Sequence, residues 1–303
     1  MLITALFGAG LYAYAGPAPA APLGAAHAAA ARRQLAARPA RLVAMSSPDG
    51  AYTLPDSFED AAEKCSRTVA SVLESGISKM RVDFDTSAGD ITYTTLRNSL
   101  PIARVLTLQL AQKLCVGEDG QPRGRLQVLM PDEGTAALIA REWAPPPTVR
   151  PACIARFRVP DDATACLVVA PTALDAAALG ALLNADAIAS GAVPLIVLNP
   201  QLVDMSTGAL GLEGRALIKR MASELQDVFV LQTLPGAAIT RTYPGNFAIW
   251  QEDRAAPGGF KFVRDDSKRP SAFSVSEELM QADSAAPGFI REIGQFIKGL
   301  QRL

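Results

Sequence analysis

The segment Val193-Pro194-Leu195-Ile196-Val197-Leu198-Asn199-Pro200-Gln201 holds the clearest architectural signal in the chain. Leu195 to Leu198 are apolar without alternation, so a strand built from them must be covered on both faces. That is the pattern of a central strand in a parallel sheet with helices on each side. Asn199-Pro200 stops it, because proline lacks the N–H that the ladder needs and steers the residue before it away from the helical region.

Upstream, Ser57 with Asp60 forms a capping-box-like start for a helix that carries Phe58, Ala62, Cys65, Val69 and Leu73 and ends at Gly76. Ser78 to Phe84 reads as a strand with Met80, Val82 and Phe84 on one face and Lys79, Arg81 and Asp83 on the other. The polar face predicts a position near an edge, with Asp83 toward solvent. The helical pattern from Leu96 to Leu114 contains Pro101, which marks either a start or a kink. A strand at Arg125–Met130, a helix at Thr135–Trp143 and strands at Cys153–Val159 and Ala165–Ala170 follow. Thr172 and Asp175 cap the helix of Leu179, Leu182, Leu183 and Ile188 that leads into the quoted strand.

Downstream, Gly208, Gly211 and Gly214 belong to a surface loop, then come a helix through Leu217, Met221 and Leu225 and a strand at Val228–Leu231. This alternation implies right-handed crossovers and a largely parallel sheet. Ala238–Thr242 and Phe247–Trp250 flank the turn Tyr243-Pro244-Gly245-Asn246, which predicts an antiparallel hairpin, with Phe260–Val263 as a third strand. Arg264–Pro270 reads as a charged loop, and Phe289, Ile293, Phe296, Ile297 and Leu300 as a closing amphipathic helix. The expected class is α/β: a mostly parallel central sheet, helices on both faces, and a C-terminal antiparallel hairpin extension.

Charge divides the 303 residues in two. No Asp or Glu precedes Asp49, whereas Arg32, Arg33, Arg38 and Arg41 do; setting these four aside leaves 25 Lys+Arg against 30 Asp+Glu, about −5. An acidic body gives no reason to expect nucleic acid as partner. Leu2–Tyr14 is an apolar run ending in Ala13-Tyr14-Ala15, a secretory cleavage pattern, and Ala20–Met45 is rich in Ala and Arg, as transit peptides are. Residues 1–47 are therefore read as a removable signal plus transit peptide with a plastid address, a mitochondrial or secreted address being the alternatives, and 48–303 as one α/β domain. No other stretch reaches the roughly 18 apolar residues of a membrane span, so a soluble mature protein without a transmembrane segment is expected.

The four cysteines show no C-x-x-C and read as buried, reduced thiols. The one histidine, His27, lies in the leader, so the body holds no Ser-His-Asp or Cys-His pair and no zinc site with a histidine ligand. No P-loop motif occurs. Asp83-Phe84-Asp85 is similar to the attacking aspartate motif of certain phosphatases, but the alternating strand before it is not the apolar one such a site needs. Ligands of open α/β sheets bind beyond the carboxyl ends of the strands, where Asp85, Asp132, Thr172 and Asn199 fall; Asp and Thr there also cap helices. Arg241 and Tyr243 share a hairpin face with Ile239. The candidate ligand- or partner-binding residues are thus Asp85, Asp132, Asn199, Gln201, Arg241 and Tyr243, with no metal site, no cofactor and no catalytic residue named.

Four short stretches, in order, carry a resemblance: Pro55 with the helix leading to Gly76 and Arg81-Val82-Asp83-Phe84; Met130-Pro131-Asp132-Glu133-Gly134 before Trp143; Asn199-Pro200-Gln201; and Arg241-Thr242-Tyr243-Pro244-Gly245. They resemble the plastid family of domain of unknown function nineteen ninety-five, which includes the Low-PSII-Accumulation-type assembly factor of photosystem II and an extension of a chloroplast adenylate kinase. The resemblance spans about Leu54 to Leu300 and implies a place in the plastid stroma or at the thylakoid, with photosystem II subunits as partners for one branch. It implies no activity. A non-enzymatic binding or assembly factor is the leading expectation. The alternative is a Mg-dependent nucleotide- or phosphate-binding enzyme using the acids at strand ends.

Overall fold

The computed structural model describes residues 52, 54–55, 57–85, 95–202, 212–253, 256 and 259–283. In chain order its elements are α1 (Phe58–Glu74), β1 (Lys79–Asp85), α2 (Thr95–Cys115), β2 (Arg125–Met130), α3 (Glu133–Glu142), β3 (Val149–Cys153), β4 (Ala163–Val169), α4 (Ala176–Asn184), α5 (Asp186–Ala189) and β5 (Leu195–Leu198). Then follow α6 (Leu212–Glu224), β6 (Gln226–Leu234), β7 (Ala237–Thr242), β8 (Phe247–Glu252), β9 (Phe260–Asp266) and α7 (Ala272–Asp283). Among the described residues no helix is long and apolar enough to cross a membrane.

The strands form one nine-stranded sheet in the order β3-β2-β4-β5-β1-β6-β7-β8-β9. From β3 to β6 neighbours run parallel, and β7, β8 and β9 add on as an antiparallel meander. The expected class is therefore found. The quoted stretch is the inner strand β5, registered with β4 on one side and β1 on the other. Leu195 and Val197 pack into the cluster of Leu182, Leu183, Leu217 and Met221, while Ile196 and Leu198 pack into that of α1, α2 and α3. All four are fully buried, and each contributes about 1.5–3 kcal/mol by leaving water.

Helix α1 begins where Ser57 Oγ accepts a hydrogen bond from the Asp60 N–H at 3.1 Å, and Gly76, at φ +90°, carries the chain out beyond it. In α2 Pro101 is not the start, since the helix begins at Thr95. The turn from β6 into β7 is Pro235-Gly236, with Leu234 paired to Ala237; Gly236 supplies the φ of +70° that such a turn demands.

Several expectations are corrected. β1 lies in the middle of the sheet, between β5 and β6, and Asp83 is buried, not turned to solvent. Its polar face is tolerated there because oppositely charged side chains from β6 and from the segment after β9 meet it. The strand expected at Cys153–Val159 is instead β3, at Val149–Cys153, followed by a 3-10 turn at Ile154–Arg156. Arg264 to Asp266 belong to β9, not to a loop, and Gly214 lies inside α6. The helix of Leu179 to Ile188 is divided at Ala185 into α4 and α5. Helix α7, which the pattern did not reveal, covers Val230, Ile239, Phe247 and Ile249 with Val275 and Leu279. Residues 1–47, Gly208, Gly211 and the proposed helix from Phe289 to Leu300 lie outside the described residues.

Both outer strands are blunted. β3 carries Pro151; Thr148 turns its carbonyl to the Leu126 N–H of β2, so by alternation Pro151 faces outward and offers no donor there. In β9 Val263 is an extra, bulged residue between the pairs Trp250–Phe262 and Ile249–Arg264. Tyr52 and Leu54, ahead of α1, lie on the opposite face of the meander from α7, with Trp250, Phe260 and Ala238. Tyr52 stacks on Phe262 at 5.3 Å and donates from its hydroxyl to Asp265 at 2.9 Å.

Candidate functional site

Four of the six sequence candidates gather along the carboxyl edge of the parallel strands. Asn199 follows β5 directly and adopts φ +49°, a left-handed conformation that Asn tolerates better than most residues. Its side chain works as an added rung of the sheet. Oδ1 accepts from the Phe84 N–H at 2.5 Å, and Nδ2 donates to the Phe84 carbonyl at 2.9 Å and to Ser99 Oγ at 2.8 Å. Its own N–H bonds to the Val82 carbonyl at 2.8 Å. Asn199 therefore holds the end of β1 against β5 and the start of α2, and it is buried.

Asp132, just past β2, caps α3. Oδ1 accepts from the Thr135 N–H and Oδ2 from Thr135 Oγ1, both at 2.8 Å, and these bonds hold its carboxyl below the usual aspartate value. After β4, the Thr172 N–H and hydroxyl both donate to Asp175 Oδ2 at 2.8 Å. Gln201 is exposed, with its N–H on the Pro171 carbonyl at 2.7 Å and a parallel bridge to Thr172. Asp85 closes β1, half-buried, and its carbonyl faces Thr233 Oγ1 at 3.5 Å.

The order β2-β4-β5-β1 separates Asp132 from Asp85 by three strand steps, about 14 Å at the usual spacing. Two carboxylates that far apart do not share one divalent cation. Among the described residues no group of three or more His, Cys, Asp and Glu stands close enough to hold a metal.

Arg241 and Tyr243 belong elsewhere. Arg241 pairs with Val230 across β6–β7, and the Tyr243 N–H reaches the Val228 carbonyl at 2.9 Å, which places both toward the amino end of β6. There the sheet face left between α6 and α7 carries charge. Arg81 Nε lies 3.0 Å from Asp83 Oδ2 and 3.7 Å from Asp227 Oδ1, as ion pairs without the alignment of a hydrogen bond to Asp83. Arg269, in the segment before α7, pairs with Asp83 and donates to Asp227 Oδ1 at 3.1 Å. Lys79 meets Glu224 at 3.0 Å, and Arg220 bonds to the same carboxylate, which lowers its pKa.

Arg241 and Tyr243 were among the residues the sequence singled out for binding; Arg81, Asp83, Asp227 and Arg269 were not. The available signal was the presence of both signs along one face of β1, Lys79, Arg81 and Asp83, beneath an apolar opposite face. A charged face of mixed sign can be internal when partners reach it. On the outer side of α1 and α2, a groove of about 460 Å³ is lined by Ala70, Leu108, Leu110 and Lys113 among others.

The family model described as Domain of unknown function (DUF1995) matches residues 55–277. No curated protein matches the chain, and no solved structure matches it.

Proposed function

The chain belongs to the DUF1995 family, and from that premise we propose that it is a non-enzymatic binding protein of the plastid, in the stroma or against the thylakoid, that supports assembly or accumulation of photosystem II. In this reading residues 1–47 are the address, removed on import, and 48–303 are the working domain. One observation supports binding over catalysis. Three polar side chains at the edge where α/β enzymes keep their chemistry are spent on the fold: Asp132 and Asp175 on caps, Asn199 on the β1–β5 clamp. Groups held this way have few lone pairs or donors left for a substrate, whereas a docking protein needs only that its surface be rigid.

The test is fractionation of plastids from cells with and without the protein. The expected outcome is that part of the protein sediments with thylakoids and that its loss lowers photosystem II. Absence from every thylakoid fraction with unchanged photosystem II overturns the proposal. A thermal-shift screen with nucleotides and Mg²⁺ addresses the enzyme alternative, because a ligand at 100 times its dissociation constant adds about 2.7 kcal/mol of stability. No shift is the outcome expected here.

A further inference from the structure

Arg241 differs from every other arginine of the charged face. Arg81 and Arg269 divide Asp83 and Asp227 between them. Arg241 makes no hydrogen bond to any described residue, and its Nε is buried. What it has is a shelf: its guanidinium carbon lies 4.4 Å from the centre of the Phe247 ring and 5.9 Å from that of Tyr243. Phe247 is locked in the core beneath α7, so the shelf is fixed. A guanidinium held over a ring has its cation engaged by that face and its N–H groups still to be paired.

The neighbouring charges define what the edge would accept. Burial holds the Arg241 pKa below its ordinary value; Asp227 and Tyr243 act to raise it, and Arg269 repels it. Three guanidinium groups face two carboxylates on this patch, an excess of one positive charge. Asp227 is already bonded to Arg269, so it leaves that excess in place. A monoanion balances the patch, whereas a dianion would overshoot and meet Asp83 and Asp227. The arginine fork matches two coplanar oxygens.

The geometry points to a carboxylate-binding site at the amino end of β6 and the carboxyl end of β7, in which Arg241, resting on Phe247 and beside Arg269, takes one carboxylate group. The source is a free small carboxylate or an acidic side chain of a peptide. The site stands independently of the plastid reading, because it rests on the charge balance of this face alone.

The experiment is thermal unfolding of the protein in sodium acetate, N-acetylglutamate, a hexaglutamate peptide, sodium phosphate and sodium chloride at matched ionic strength. The expected result is a Tm raised by one or more of the carboxylates above that in chloride and phosphate. The rise is lost in Arg241→Gln and is much reduced in Arg241→Lys, which keeps the charge without the fork. A greater effect of the peptide per carboxyl group identifies a protein source, and an equal effect identifies a small molecule; both support the site. No rise over chloride, an equal or greater rise in phosphate, or a rise unchanged in Arg241→Gln overturns it. Phenylglyoxal labelling of the unaltered protein, read by mass spectrometry, needs no variant. Arg241 should be labelled in chloride and protected by carboxylate, and equal labelling in the two overturns the proposal.

Discussion

Asn199 shows how one residue can settle the geometry of several elements. Replacing it with Ala leaves the Phe84 N–H and carbonyl without their side-chain partners in a dry place and puts at φ +49° a residue that tolerates the left-handed region less well than Asn. We expect a loss of about 2–4 kcal/mol in urea unfolding. Asn199→Gly relieves the backbone but not the missing bonds, so it should recover about 1 kcal/mol of that loss. Asp132 works at the surface and is worth less: Asp132→Ala should cost about 1 kcal/mol at pH 7, the usual worth of an N-cap. Its folded pKa is lowered, so the stabilisation is present above the unfolded aspartate value of about 3.9 and fades as pH falls through the folded one. Urea midpoints of the two proteins should therefore converge on acidification from pH 7 to pH 2. Asn199 was legible as a strand stop and as a candidate binding residue at a strand end; its clamp depends on Phe84, 115 positions away, and no local pattern carries that.

Elements were legible to the degree that their environment was uniform. β5 could be placed because four apolar residues in a row admit only one setting, covered on both sides. β1 was misplaced because its charged face looks solvated until Asp227 and Arg269 are known to meet it. β3 was missed because Pro151 argues against a strand everywhere except on an edge, which is where it lies. The same proline yields a prediction for the element: Pro151→Val restores a donor to the outer side of β3. Sedimentation velocity should then show self-association rising with concentration in the variant and not in the parent. α7 escaped notice because only Val275 and Leu279 of its first two turns are buried, too few to make a readable stripe. Of the candidate site, the caps were legible from Asp and Thr at strand ends, whereas the charged face required the tertiary arrangement.

At the scale of the whole molecule, the slot occupied by β1 makes the two halves of the sheet interdependent. β1 is flanked by β5 and β6 and, among the described strands, joins the four strands β3, β2, β4 and β5 to β6 and the meander. A chain that ends at Leu225, after α6, retains five strands and leaves one side of β1 open. We expect it to show no cooperative urea transition, while the full chain shows a single one. The meander from β6 to β9, built of consecutive neighbours, closes by short loops and should form quickly. β1 has no such local partner. It leaves the ribosome first among the strands and has to wait for the stretch from Gln226 onward before both flanks exist. During that interval the centre of the sheet stands ajar, and it shuts only when the later half of the polypeptide reaches it.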